Sequence, residues 1–105
     1  MNIRKLQKVI GSGNFEWRKH ALQRTAERGI PQKAIFDVFL YGEQIENYPE
    51  DTPYRSALFL GWYEGKPLHV VVALDEGNNW AYIITAYEPS MEEFEPDFKT
   101  RRKKP

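Results

Sequence analysis

Ile3, Leu6, Val9 and Ile10 recur at helical spacing and fall within about a third of a turn of one another, which predicts a short amphipathic helix over residues 2–11. Gly11-Ser12-Gly13-Asn14 ends it. Phe15-Glu16-Trp17 is too short for a period to register, but aromatics on either side of a glutamate suit a brief extended segment paired at a sheet edge. From His20 the helical wheel, at about 100° per residue, places Ala21, Leu22, Thr25 and Ala26 on one side. His20, Gln23, Arg24, Glu27 and Arg28 form a polar arc on the other. Gly29 is the expected stop, and Pro31 the expected first-turn residue of a further helix. That helix, PQKAIFDVFLYG, sets Ala34, Ile35, Val38, Phe39 and Tyr41 on a wide apolar face before Gly42 closes it.

Beyond Gly42 the period changes. EQIENYP reads as a first strand ended by the turn-rich EDTP, and SALFLGWYEGKPLHVVVALDEGNNWAYIITAY as three β-rich runs joined by the hairpin turns EGKP and DEGN. Short connections imply consecutive antiparallel strands, with LHVVVAL apolar enough on both parities to be central. Alternation puts His69 on one face with Val71 and Ala73, opposite Leu68, Val70 and Val72. In the last strand it groups Thr85 and Tyr87 with Ile83, and Trp80, Tyr82, Ile84 and Ala86 on the other face. The tail EPSMEEFEPDFKTRRKKP, with three prolines and dense charge, is expected to be irregular from about residue 90 to residue 105, with Phe94 and Phe98 held against the body. The fold class is therefore α+β: N-terminal helices packed on one face of an antiparallel sheet, in a single domain spanning residues 1–105.

Charge changes the picture once it is divided along the chain. The formal net charge is zero, yet residues 1–40 carry 8 Lys+Arg against 3 Asp+Glu, residues 41–98 carry 2 against 12, and residues 99–105 carry 5 against none. If the two basic ends share a face, the protein presents a basic surface to a polyanion despite its neutral total; otherwise they are two solvated segments. The chain has no cysteine, so disulfides, thiolate nucleophiles and cysteine-ligated metal sites are excluded. No apolar run approaches the length of a membrane span, and the first residues interleave charge with apolar positions, so a cytoplasmic location is expected.

Cleavage of RNA without a metal needs a group to take the 2′-hydroxyl proton, a group to protonate the departing 5′-oxygen, and cations to stabilise the phosphorane. His20, Arg24, Glu27, Arg28, His69 and Tyr87 supply those types, provided the polar arc reaches the sheet. The competing readings are a solvated helix face for the arc and a satisfied structural imidazole for His69. A metal site is not expected, since neither histidine belongs to a dense ligand pair such as H-E-x-x-H. No cofactor is implied. GSGN lacks the Lys-Ser/Thr of a phosphate loop.

The segments HALQRTAERGI, YGEQIENYPED, PLHVVVALD and IITAYEP followed by RRKK resemble, in order and spacing, a bacterial domain-of-unknown-function family numbered 4258. The resemblance covers about residues 3–102. It implies a fold similar to RelE-like toxins, within the group joining barnase, EndoU, colicin and RelE ribonucleases. It further implies the toxin half of a toxin–antitoxin pair, acting on RNA as an endoribonuclease, with an antitoxin partner of the MqsA/YgiT zinc-finger type. The residues it assigns to catalysis are His20, Arg24, His69 and Tyr87, with Arg28 in the following arginine–glycine step. The basic tail adds Arg101 and Arg102 as expected RNA-phosphate contacts. Which histidine acts as acid and which as base stays open. The neutral total departs from strongly basic, ribosome-dependent RelE toxins, which counts against ribosome-dependent cleavage and leaves free RNA or a weaker activity open. The alternative is a non-catalytic protein-binding module of the same fold, in which the acidic stretch Glu43 to Asp51 and exposed aromatics meet a partner.

Overall fold

In the computed structural model, which describes residues 1–103, the first helix, α1 (Ile3–Gly11), starts where the Asn2 side chain accepts a hydrogen bond from the Lys5 amide (3.1 Å). It buries Leu6, Val9 and Ile10. The next segment, β1 (Phe15–Trp17), is followed by α2 (Ala21–Glu27) and α3 (Gln32–Tyr41). Helix α2 stops in a Schellman arrangement: the Ile30 amide donates to the Thr25 carbonyl (3.1 Å) and the Gly29 amide to that of Ala26 (3.0 Å). Gly29 sits at φ +70°, a conformation that costs glycine nothing. Four strands complete the chain: β2 (Glu43–Tyr48), β3 (Arg55–Tyr63), β4 (Lys66–Asp75) and β5 (Trp80–Tyr87).

The strands form one open sheet in the order β1-β5-β4-β3-β2. The meander β2 to β5 is antiparallel, as expected from its short turns, but β1 lies parallel to β5, so the sheet is mixed. A parallel neighbour is possible there because α2, α3 and three strands intervene before the chain returns. One face carries the core: Ala57 and Phe59 of β3, Leu68, Val70, Val72 and Leu74 of β4, and Ala81, Ile83 and Ala86 of β5 pack against α1 and α3. Each large apolar side chain buried there contributes about 1.5–3 kcal/mol. Gly61 lets α3 approach, since a Cβ at that position would stand 2.6 Å from Val38 Cγ2.

Two bulges decide what the other face displays. Ile45 is an extra residue between Gln44, opposite Phe59, and Glu46, opposite Leu58. Ile84 is likewise extra between Ile83, opposite Val72, and Thr85, opposite Val71. The second bulge reverses the parity expected from alternation: Thr85 and Tyr87 share a face with His69 and Val71 rather than with Ile83. A one-residue insertion moves every later side chain to the opposite face, and nothing in a run of apolar residues announces it. Helix faces show smaller departures. Leu22 (41 % exposed), Ala26 and Tyr41 (83 %) lie in solvent, because α2 touches the sheet only through its Ala21–Thr25 side and Tyr41 falls at the last turn of α3.

The tail is not regular, but it is folded. Residues 93 to 102 turn back on themselves, with the Glu95 amide donating to the Thr100 carbonyl (2.8 Å), the Arg102 amide to that of Glu93 (2.9 Å) and a bridge between Phe94 and Arg101. Asp97 pins the turn by accepting from the Lys99 and Thr100 amides. Residues 104–105 of the expected tail lie outside the described residues.

Candidate functional site

The chain leaves the sheet edge at Arg18, whose amide donates to the Ile83 carbonyl (2.9 Å), and turns into α2 through His20. His20 takes φ +66°, a left-handed conformation that histidine adopts more readily than most residues and that redirects the backbone within one step. Its side chain makes no capping bond and is exposed. His20, Gln23, Arg24 and Glu27 line a shallow depression of about 300 Å³. Gln23 Nε2 donates to Glu27 Oε1 (3.0 Å) and so fixes that carboxylate on the rim. Among the described residues, the ion pairs engage Lys33, Lys99, Arg101 and Arg102, leaving Arg24 and His20 without a carboxylate.

At the other end of α2, Arg28 Nη1 donates to the Ala86 carbonyl (2.8 Å) and to Thr85 Oγ1 (3.3 Å). The helix is thus fastened to β5 at both ends. The eight residue steps from His20 to Arg28 advance about 12 Å along it. The six-residue inventory therefore divides into an open group, His20, Arg24 and Glu27, and a second group at the end of β5, where Arg28 meets the residue before Tyr87.

His69 belongs to the second group and is completely buried. Its Nε2 lies 2.7 Å from the Phe98 carbonyl, which can only accept, so the imidazole carries its proton there; Nδ1 is left to accept from the Tyr87 hydroxyl at 3.4 Å. Phe94 stands edge-on to the ring at 4.7 Å and is itself 1 % exposed. Burial pushes the His69 pKa below its ordinary value, outweighing the Phe98 carbonyl and Glu46, which act the other way. Burial also raises that of Tyr87, which keeps the phenol protonated. His69 is therefore a neutral imidazole held by the tail, with both ring nitrogens engaged.

The tail is itself anchored. Arg101 grips Glu46 with two bonds (2.8 and 3.0 Å) and lies 4.9 Å over the Phe94 ring. The Tyr48 hydroxyl donates to the same carboxylate. Burial disfavours the Glu46 charge, but Arg101 and Tyr48 outweigh it and lower the Glu46 pKa; Glu46 in turn raises that of Arg101. Lys99 pairs with Glu43 (2.6 Å), and Arg102 with Glu95 (3.2 Å) and the Met91 carbonyl. Arg101 and Arg102, expected as phosphate contacts, thus already hold acidic partners. The Glu46–Tyr48–Arg101 lock escaped sequence reasoning because Arg101 lies 55 residues from Glu46 along the chain. The stack of Tyr54 on Tyr82 (5.3 Å), with Arg18 4.3 Å above the Tyr82 ring, was equally hidden.

Among the described residues no helix is long and apolar enough to cross a membrane, and no three His, Asp or Glu side chains gather where a metal ion could sit. The model of a family described as a domain of unknown function (DUF4258) matches residues 17–88, which include His20, Arg24, Arg28, His69 and Tyr87 but not α1 or the tail. No curated protein matches the chain. The match covers well over half of the sequence, and the chain belongs to that family.

Proposed function

We propose that this DUF4258 protein is a metal-independent endoribonuclease, the toxin half of a toxin–antitoxin pair with a RelE-like fold, and that its reacting groups lie on α2. The observation that carries the reading is the depression lined by His20, Arg24 and Glu27. Transfer at phosphorus places the attacking 2′-oxygen and the departing 5′-oxygen on opposite sides of the phosphorus atom. Arg24 stands between His20, four residues before it, and Glu27, three residues after it, so a phosphate seated on the guanidinium has a proton-transfer group on either side.

In the cleavage step the 2′-oxygen bonds to phosphorus and the bond to the 5′-oxygen breaks, leaving a 2′,3′-cyclic phosphate. One of His20 and Glu27 takes the 2′-hydroxyl proton, the other delivers a proton to the 5′-oxygen, and Arg24 stabilises the phosphorane. Arg28 is the bolt that holds this helix on β5, and His69 with Tyr87 forms the packed end against which it is held. Lys99, Arg101 and Arg102 play no part in RNA binding in this reading, because Glu43, Glu46 and Glu95 occupy them. The partner would be an antitoxin of the MqsA/YgiT zinc-finger type, and the substrate free RNA.

The test is cleavage of cellular RNA by purified protein in chelator, with Arg24→Ala as the comparison. If Arg24 stabilises the transition state, turnover falls by about 10²–10³ with a much smaller change in RNA affinity. Equal losses in both would make it a docking residue. The second reading, a non-catalytic protein-binding module, draws on the exposed Tyr41 (83 %) and Trp62 (56 %), and it predicts no cleavage by the wild type.

A further inference from the structure

The basic N-terminal segment contains a second concave surface, separate from the α2 depression, and we propose that it binds the backbone phosphates of single-stranded RNA. The cleft, of about 450 Å³, lies between α1 and the turn that precedes β5, with Arg4, Lys5 and Lys8 on one wall and Asn14 and Asn79 among the residues opposite. Arg4 and Lys8 are one helical turn apart, and Lys5 adjoins them on the same side. Lys5 Nζ donates to the Glu76 carbonyl (3.1 Å), which ties the ammonium to the β4–β5 turn. Asn14 is fixed by its own backbone: its amide donates to the Val9 carbonyl (3.1 Å), and its carbonyl accepts from the Ala81 amide (3.0 Å).

The chemistry of this wall is one-sided. No carboxylate lines the cleft. Of the two acids in the adjoining turn, Asp75 accepts from the Asn78 side chain (2.8 Å), and Glu76 meets Lys5 through its main-chain carbonyl. Three cations with asparagine and serine groups beside them form a set rich in donors, suited to a ligand that has several anionic acceptor oxygens, as phosphate does. Arg4, Lys5 and Lys8 have no ion-pair partner among the described residues, in contrast to Lys99, Arg101 and Arg102.

Position favours an extended polyanion over an isolated phosphate. Edge strand β1 and the turn that follows it lead from Asn14 at the cleft to His20 at the α2 depression, a path of at most about 20 Å at roughly 3.3 Å per residue. Arg18 and Lys19 are exposed along its second half. An RNA strand following that edge would meet cations at both ends of β1, so the cleft would dock the chain whose phosphodiester reaches Arg24. The assignment of RNA as the source of phosphate rests on the ribonuclease reading; the affinity for phosphate does not.

The experiment is a pair of titrations of the full chain, with inorganic phosphate and with a short single-stranded RNA, followed by amide NMR and repeated on Arg4→Gln/Lys8→Gln, whose side chains are exposed. Phosphate should shift the amides of Ser12, Asn14 and Asn79 in the wild type. RNA should bind more tightly than phosphate, and the double variant should weaken it by about tenfold while reducing the slope of log affinity against log salt by about 1.4. Absence of the phosphate shifts would overturn the site. Phosphate shifts with unchanged RNA affinity and salt slope in the double variant would overturn the backbone assignment. His20→Ala separates the two readings: it should lower cleavage by at least about 100-fold and leave this binding intact, and a wild type that binds at the cleft without cleaving sinks the nuclease alone.

Discussion

The two basic ends of the chain look equivalent in composition and are opposites in the fold. Lys99, Arg101 and Arg102 all meet carboxylates, two of them on β2, and their charge is spent on fastening the tail across the sheet. Of the cations in the first 40 residues, only Lys33 has an acidic partner among the described residues. The two histidines divide in the same way. His69 is sealed under Phe94 and bonded at both nitrogens, whereas His20 stands exposed on a left-handed turn beside Arg24. A count of charges or of imidazoles says what a chain owns; the pairing says what is left for a ligand.

The sharpest way to break this comparison is at α2. His20→Ala should lower RNA cleavage by about 10²–10⁴, the range for a lost proton-transfer group. Stability against denaturant should fall by only about 1 kcal/mol, since the side chain is exposed but alanine suits the left-handed backbone at this position less well than histidine. The converse holds for His69→Ala, which empties a buried site and orphans the Phe98 carbonyl. It should cost roughly 3 kcal/mol of stability, measured by denaturant midpoint, with cleavage per folded molecule unchanged.

The pH dependence of stability comes next in size. Burial lowers the folded-state pKa of His69 below its ordinary 6.5, so the unfolded chain binds the proton more readily. Stability from this group is complete above about pH 6.5 and declines as pH falls toward the folded pKa, at no more than about 1.4 kcal/mol per pH unit. Glu46 and Arg101 also act on this imidazole; the Glu46 pKa is lowered from 4.5, so it keeps its charge through the upper part of that window. Chemical denaturation at several pH values should show the slope in the wild type and a flatter profile in His69→Gln. Arg101→Ala should have the smallest effect, about 1 kcal/mol, because the guanidinium is half exposed and solvent screens the pair. Faster hydrogen exchange at the Glu95 and Arg102 amides would report the loosened tail.

The elements were legible because their periods are strong: the α1 stripe, the polar arc of α2, and the β-rich runs separated by EGKP and DEGN all appear close to the expected positions. The parity of β5 was not, because the bulge at Ile84 sits within the apolar run Tyr82-Ile83-Ile84, where either register buries apolar groups. The parallel pairing of β1 rests on three residues and on contacts more than 60 positions away. In the site, the arc of His20, Arg24 and Glu27 was visible as a helical repeat. The fate of His69 was not, since the groups that seal it, Phe94 and the Phe98 carbonyl, come from a tail without periodic structure. The partners of Arg101 and Arg102 were hidden for the same reason.

Single-turnover cleavage of a labelled RNA in chelator, by wild type, His20→Ala and His69→Gln at matched concentrations of folded protein, tests the central claim most directly. The account predicts cleavage by the wild type and by His69→Gln at similar rates, and a loss of at least about 100-fold in His20→Ala. Retention of activity in His20→Ala together with its loss in folded His69→Gln would contradict it and return the chemistry to the end of the sheet that the tail now covers.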